Sequence, residues 1–218
     1  MAEIDFLATL PKSKRKLEER RLEKDENVID IAREFGESYF DGDRKYGYGG
    51  YRYDGRWRSV AKSLINHYRL APGMRVLDIG CAKGFLVKDL MIECPGLDVY
   101  GLDISKYALE NCEDEVVGRL HLGDARNLPF PNSSFDLVIS INTIHNFERA
   151  EVIQALREMV RVGKKNQYVV VDSYHTAAQK DVFESWVLTA RFYDYPSGWI
   201  DVFEESGYSG DYSWTIIE

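Results

Sequence analysis

Three observations predict an α/β fold with a doubly wound, mostly parallel sheet and helices on both faces. Short apolar strands alternate with helical segments from residue 59 onward. The run from Gln167 to Asp172 centres on Tyr168 and three consecutive valines, as in strands covered on both sides. The turn Gly80-Cys-Ala-Lys-Gly84 joins the first strand directly to a helix.

The elements follow in order. Val60, Leu64, Ile65 and Tyr68 mark a helix from Ser59 that Ala71-Pro-Gly ends. Arg75–Ile79 reads as a strand, Phe85–Ile92 as a helix, Asp98–Asp103 as a second strand and Ser105–Cys112 as a helix. Arg119–Leu122 and Phe135–Ser140 are the third and fourth strands, and Ala150–Val162 is helical, with Val152, Leu156, Met159 and Val160 on one side. After the strand at 167–172, Trp199–Glu205 is a helix, Gly207–Gly210 a turn, and Asp211–Glu218 a last strand. Residues 59–218 therefore form the sheet domain, and residues 1–58 a cap.

That cap differs in composition. Pro11–Glu26 is mostly Lys, Arg and Glu and reads as a solvated helix of alternating charge. Val28, Ile31, Ala32 and Phe35 then share one face of an amphipathic helix capped by Asn27. Asp41–Trp57 holds tyrosines and glycines without apolar periodicity, and a loop of that length is functional or disordered; its aromatic content favours function.

The chain has 218 residues, 44% hydrophobic and 29% charged, enough for a sizeable core without disulfide or metal staples. No apolar run approaches the roughly 18 residues that span a bilayer, and residues 1–16, with no basic region leading into an apolar stretch, are not expected to act as a secretory signal. Three cysteines without a CxxC pair suit a reducing, cytoplasmic setting. A net charge of −8 argues against a generic nucleic-acid binder.

In open α/β sheets ligands bind beyond the carboxyl ends of the strands. Gly80, Ala82 and Gly84 stand two apart there, which matches neither the dinucleotide fingerprint nor a phosphate loop. Asp103 ends the second strand about 20 residues past that turn, where an acid can accept both ribose hydroxyls; it equally fits an acid favoured at a helix N-terminus. Asp124, in Gly123-Asp-Ala125, can accept from an exocyclic amine or be an ordinary loop carboxylate. Together these residues describe an adenosine with no pyrophosphate to cradle. Cys81 reads as a small buried filler.

This ordered set resembles the class I S-adenosylmethionine-dependent methyltransferases over roughly residues 60–218. Asp78-Ile-Gly-Cys-Ala-Lys-Gly84 is similar to the first motif, with Ala82 in place of a glycine, and Phe135–Ser140 is similar to the strand-four motif. The resemblance implies a Rossmann-like sheet of seven strands, the last of them antiparallel. It implies S-adenosylmethionine contacts at Asp78, Gly80, Cys81, Ala82 and Gly84, at Asp103 and Ile104, at Asp124 and Ala125, and at Ser140. Ahead of the first strand, Tyr46, Tyr48, Tyr51 and Tyr53, with Arg52 and Trp57, would close over the cofactor as a glycine-hinged lid, or else pack on the surface by their own rings.

Residues after strand four face the methyl group in that family, which makes Asn142 and His145 the catalytic candidates. His145 titrates near neutrality and suits a general base, and it equally suits a pocket wall. Asp172, Tyr174 and His175 either contact the acceptor or are solvated. Asn142–Asn146 contains no acid, so no metal is expected. An Asn/Asp-Pro-Pro run typical of amino-directed nucleic-acid enzymes is absent. The expected function is methyl transfer to an oxygen or nitrogen of a small-molecule acceptor, by a monomer or homodimer, with no membrane partner. RNA or protein methylation, supported by the basic run Lys12–Lys24, and a non-catalytic cofactor-binding module are the alternatives.

Overall fold

A computed structural model describes residues 1–11 and 15–217. Its strands are β1 (Arg75–Ile79), β2 (Asp98–Asp103), β3 (Leu120–Leu122), β4 (Phe135–Ile141), β5 (Gly163–Asp172) and β6 (Asp211–Thr215). They form one parallel sheet in the order β3-β2-β1-β4-β5-β6. Ile79 of β1 lies beside Leu102 of β2 and Ser140 of β4, so the carboxyl ends of three central strands open onto one edge.

Alternation along each strand builds two cores. Leu77, Ile79, Val138, Val169 and Val171 face α7 (Arg149–Val162) and α9 (Pro196–Ser206), packing with Leu156, Trp199 and Phe203. Val76, Leu137, Ile139, Tyr168 and Val170 face α4 (Arg58–Tyr68) and α5 (Phe85–Glu93). The short α6 (Lys106–Glu110) follows β2, capped by the Ser105 hydroxyl accepting from the Ala108 N–H at 3.0 Å.

Six strands are present among the described residues, where the resemblance implied seven, and β6 runs parallel to β5, not antiparallel. The physical reason is the connection: α8 (Ala177–Trp186) and α9 carry the chain back along the sheet, so it re-enters in the same sense. The last strand stops at Thr215, and Glu218 lies outside the described residues. The outer edge of β6 is partly covered by the N-terminus: Ile4 N–H donates to Tyr212 O at 2.8 Å and Tyr212 N–H to Ala2 O at 3.0 Å. Phe6 follows into the core beside Val60 and Tyr168.

The cap departs from the sequence reading in detail. Lys12–Lys14 lie outside the described residues. The expected single charged helix is α1 (Leu17–Glu23), broken at Lys24 and Asp25 from α2 (Glu26–Arg33). Asp25, not Asn27, caps α2, accepting from Val28 N–H at 2.8 Å. Arg20 is not solvated: its guanidinium donates to the Arg44 and Lys45 carbonyls and sits 5.0 Å over the Trp186 ring. One further turn, α3 (Glu37–Phe40), leads into the irregular segment 41–57.

Candidate functional site

The chain leaves β1 through Gly80, at φ 77°, and Ala82, at φ 51°. Glycine is required at the first position for a second reason as well: a Cβ there would lie 2.0 Å from Thr143 Oγ1 on the loop after β4. Ala82 holds a left-handed conformation that costs about 1–2 kcal/mol for a residue with a Cβ, and its N–H donates to Asp103 Oδ2 at 2.7 Å. The other oxygen of Asp103 accepts from Ser105 N–H at 2.8 Å. Burial raises the Asp103 pKa against these two hydrogen bonds. Burial, with Asp103 adding its charge, lifts Asp78 to about 7.

Asp78 and Asp103 line a cavity of about 180 Å³ open to the centre of a water molecule, at the carboxyl edge of β1, β2 and β4. Gly80, Cys81 and Ala82 form its floor, and Ile104, Gly123 and Ala125 one side. Asn142 lies on the far side, at φ 51°, its Oδ1 accepting from the Thr215 hydroxyl at 2.8 Å. Burial drives the Cys81 thiol well up, which rules out a ready thiolate.

An aromatic roof closes the space. Tyr51 stacks on Phe85 at 4.7 Å and meets Tyr48 at 4.4 Å, while Phe40 lies between Tyr48 and Tyr107. Asp41 ties this roof to the floor, accepting from Lys83 Nζ at 2.5 Å, Tyr107 hydroxyl at 2.8 Å and Tyr51 N–H at 3.0 Å. Against the opposing effect of burial, hydrogen bonds from Lys83, Tyr107 and the Tyr51 N–H hold the Asp41 carboxyl below its ordinary range. Trp57 also reaches the cavity. Gly47 supplies close packing and not a hinge, since a Cβ would meet Tyr39 O at 2.2 Å.

Several expected contacts fall outside this cavity. Tyr46 packs near Val28 and Leu188, Arg52 is exposed, and Tyr53 donates to Asp89 Oδ1 at 2.5 Å. Gly84 caps α5 and makes room for Leu120 and Val116 instead of lining the site. The Asp124 carboxylate is taken by Arg126 at 2.5 Å, which holds its pKa down. Ser140 is fully buried within β4.

His145 is corrected too. It is 4% exposed and does not border the cavity. Its Nδ1 accepts from Asp172 N–H at 3.1 Å, and Nε2 lies 3.3 Å from Asp172 Oδ2. Burial lowers its pKa, partly offset by Asp172. The imidazole thus fastens the loop after β4 to the end of β5. Asp172 is spent on the same contact, Tyr174 packs edge-on against Tyr195, and His175 is exposed.

The cavity gains Phe35, Tyr39 and Phe40 from the cap and Phe147 after β4, which no motif marked, and Thr143 and Asn146, which lie in the stretch expected to face the methyl group but were not singled out within it. The aromatic cluster around Gly36 and the Asn146-Phe147 pair were the available signals, but neither is tied by spacing to the turn at 80–84.

A methyltransferase-domain family model matches residues 77–171. The demethylmenaquinone methyltransferase of Thermotoga maritima is 34% identical over 119 residues, covering 54% of this chain and 50% of that protein. The probable tRNA methyltransferase 9B of Mus musculus is 38% identical over 93 residues, covering 42% of this chain and 20% of that one. The structure of the YcgJ protein from Bacillus subtilis shares the fold, with a TM-score of 0.53 at 23% identity over 67% of this chain and 66% of that chain. The chain spans half or less of the length of these curated relatives.

Proposed function

We propose that this chain, whose residues 77–171 match a methyltransferase-domain family, is a class I S-adenosylmethionine-dependent methyltransferase that transfers a methyl group from S-adenosylmethionine to an oxygen or nitrogen of a small-molecule acceptor by in-line displacement. The observation that carries this reading is the Asp103 carboxylate, buried at the end of β2 and fixed by two backbone N–H groups at 2.7 and 2.8 Å. A carboxylate has about four lone-pair directions, so two remain for the paired hydroxyls of a ribose.

The other lining residues fit the same ligand. Ile104, Gly123 and Ala125 offer a small apolar ledge for a base, and Asp78 offers a second buried carboxylate to a ligand that is cationic at sulfur and at its amine. The donor, when bound, supplies both the methyl group and the leaving group. What the chain contributes is alignment and exclusion of water, through the floor at Gly80–Ala82 and the rings of Phe40, Tyr48 and Tyr51. Burial raises the Tyr48 and Tyr51 phenols, which makes them poor bases at neutral pH. The cavity therefore suits an acceptor whose lone pair is already free at neutral pH, a carboxylate or an unprotonated amine, better than an alcohol.

Calorimetry with S-adenosylmethionine and with NAD tests the reading: saturable heat is expected from the first alone, followed by S-adenosylhomocysteine release when acceptors are supplied. No saturable heat with S-adenosylmethionine would end it. The tRNA methyltransferase relative keeps a second reading in view, and binding to RNA that weakens steeply with salt would favour it.

A further inference from the structure

A second cavity, about 420 Å³ by the same measure, adjoins the first, and the two share Phe35, Asn146 and Phe147. Three arginines border it: Arg33 from the last turn of α2, Arg126 from the loop after β3, and Arg191 from the segment after α8. They are not equivalent. Arg126 is committed to Asp124 and Glu151 and lies 4.9 Å over the Phe147 ring. Arg191 has only a long contact to Glu148, at 3.4 Å. Arg33 has no ion-pair partner among the described residues, and its buried Nε finds no hydrogen-bond acceptor.

Unpaired buried donors are costly, and cationic ones more so. Burial lowers the Arg33 pKa and the like charge of Arg191 lowers it further, while Asp30 and Glu148 offset part of this. An anion placed between the two would relieve a repulsion already present and would compete only with the 3.4 Å contact of Arg191 to Glu148. Asn146, on the shared wall, has a buried amide oxygen that is also without a partner. Two unmatched polar atoms thus belong to residues that border the basic cavity, and one of these residues, Asn146, stands on the wall it shares with the first cavity.

We infer that this annex anchors the methyl acceptor and that the acceptor carries a small oxyanion, a carboxylate or a phosphate monoester, received by Arg33 and Arg191. The inference rests on the methyl-transfer reading of the adjoining cavity. A ligand that spans both spaces also places a polar group against Asn146. Planar guanidinium forks match such oxyanions two bonds at a time. Glu148 and Glu151 border the same annex and repel a polyanionic strand, so one compact anion fits where a nucleic-acid backbone does not.

The test uses the whole chain saturated with S-adenosylhomocysteine, with arginine Nε–H resonances followed by NMR. Acetate and inorganic phosphate are titrated separately, which distinguishes a carboxylate from a phosphate source. A saturable shift of the Arg33 signal is expected with at least one of them. Arg33→Gln and Arg191→Gln should each weaken that anion roughly tenfold or more, while S-adenosylhomocysteine affinity stays within about twofold. No saturable shift with either anion overturns the inference, as does an anion affinity, read on the remaining arginine of each variant, that neither Arg33→Gln nor Arg191→Gln weakens. Competition between anion and S-adenosylhomocysteine would assign the arginines to the donor, and salt-sensitive RNA binding lost in both variants would assign them to RNA; each result overturns it. Failure to bind S-adenosylhomocysteine at all would overturn the methyl-transfer reading instead.

Discussion

Raising the pH from 6 to 8 should strengthen S-adenosylmethionine binding about tenfold, because Asp78 must be ionised to receive a cation and stands at about 7 in the free protein. The magnitude comes from its surroundings. An aspartate ordinarily titrates at 3.8, and full burial with Asp103 nearby lifts this one to about 7. At about 1.4 kcal/mol per pH unit, that displacement is a charging cost of about 4 kcal/mol. In the free protein the folded chain holds the extra proton between those two pH values, so this group makes stability fall as pH rises from about 4 to about 7. A bound cation reverses the preference and expels the proton. At pH 7 roughly half a proton should leave per donor bound, since about half the molecules then hold it. Calorimetry in two buffers of different protonation enthalpy reads this number directly. Asp78→Asn should flatten both the binding slope and the stability slope. An affinity that is constant from pH 6 to 8, or a slope that persists in Asp78→Asn, would refute the argument.

Gly80→Ala combines a left-handed backbone strain with a Cβ 2.0 Å from Thr143 Oγ1, and should cost about 2–4 kcal/mol in denaturant unfolding; a loss near zero would show that the loop after β4 yields freely. His145→Ala should leave donor affinity and turnover intact while stability drops about 1–3 kcal/mol, from the buried Asp172 N–H left without its acceptor. Turnover lost at wild-type stability would restore His145 as a base. Asp41→Asn should weaken the tie to Lys83, speed hydrogen exchange across residues 41–57, and lower donor affinity more than melting temperature; unchanged exchange would show that the roof is held by its rings alone.

Most of the fold was legible because its signals are local. Arg75–Ile79 and Asp98–Asp103 form as strands over the residues expected, since an apolar run bounded by turn residues needs no distant information. The floor of the site was legible for the same reason: Gly80, Ala82 and Asp103 are placed by two adjacent strand ends. The glycine at position 80 shows the limit. Its backbone angle could be anticipated from the turn, but its contact with Thr143 joins loops 63 residues apart and depends on β1 and β4 lying side by side.

The chain by itself therefore told the kind and order of most elements and the turn that floors the cavity, though not α8 or the sense of β6. Tertiary structure alone decided where charged and aromatic side chains ended up. Arg20 belongs to a run that reads as solvated, yet it is buried against Trp186, a residue of α8. His145 stands at the right place after β4, yet turns into the protein toward Asp172. Asp124 has the right position after β3, yet Arg126 claims its carboxylate. Helical and strand periods repeat over a few residues and can be read along the chain, whereas the partner of a long or ionised side chain is chosen by whatever the folded chain brings within about 4 Å.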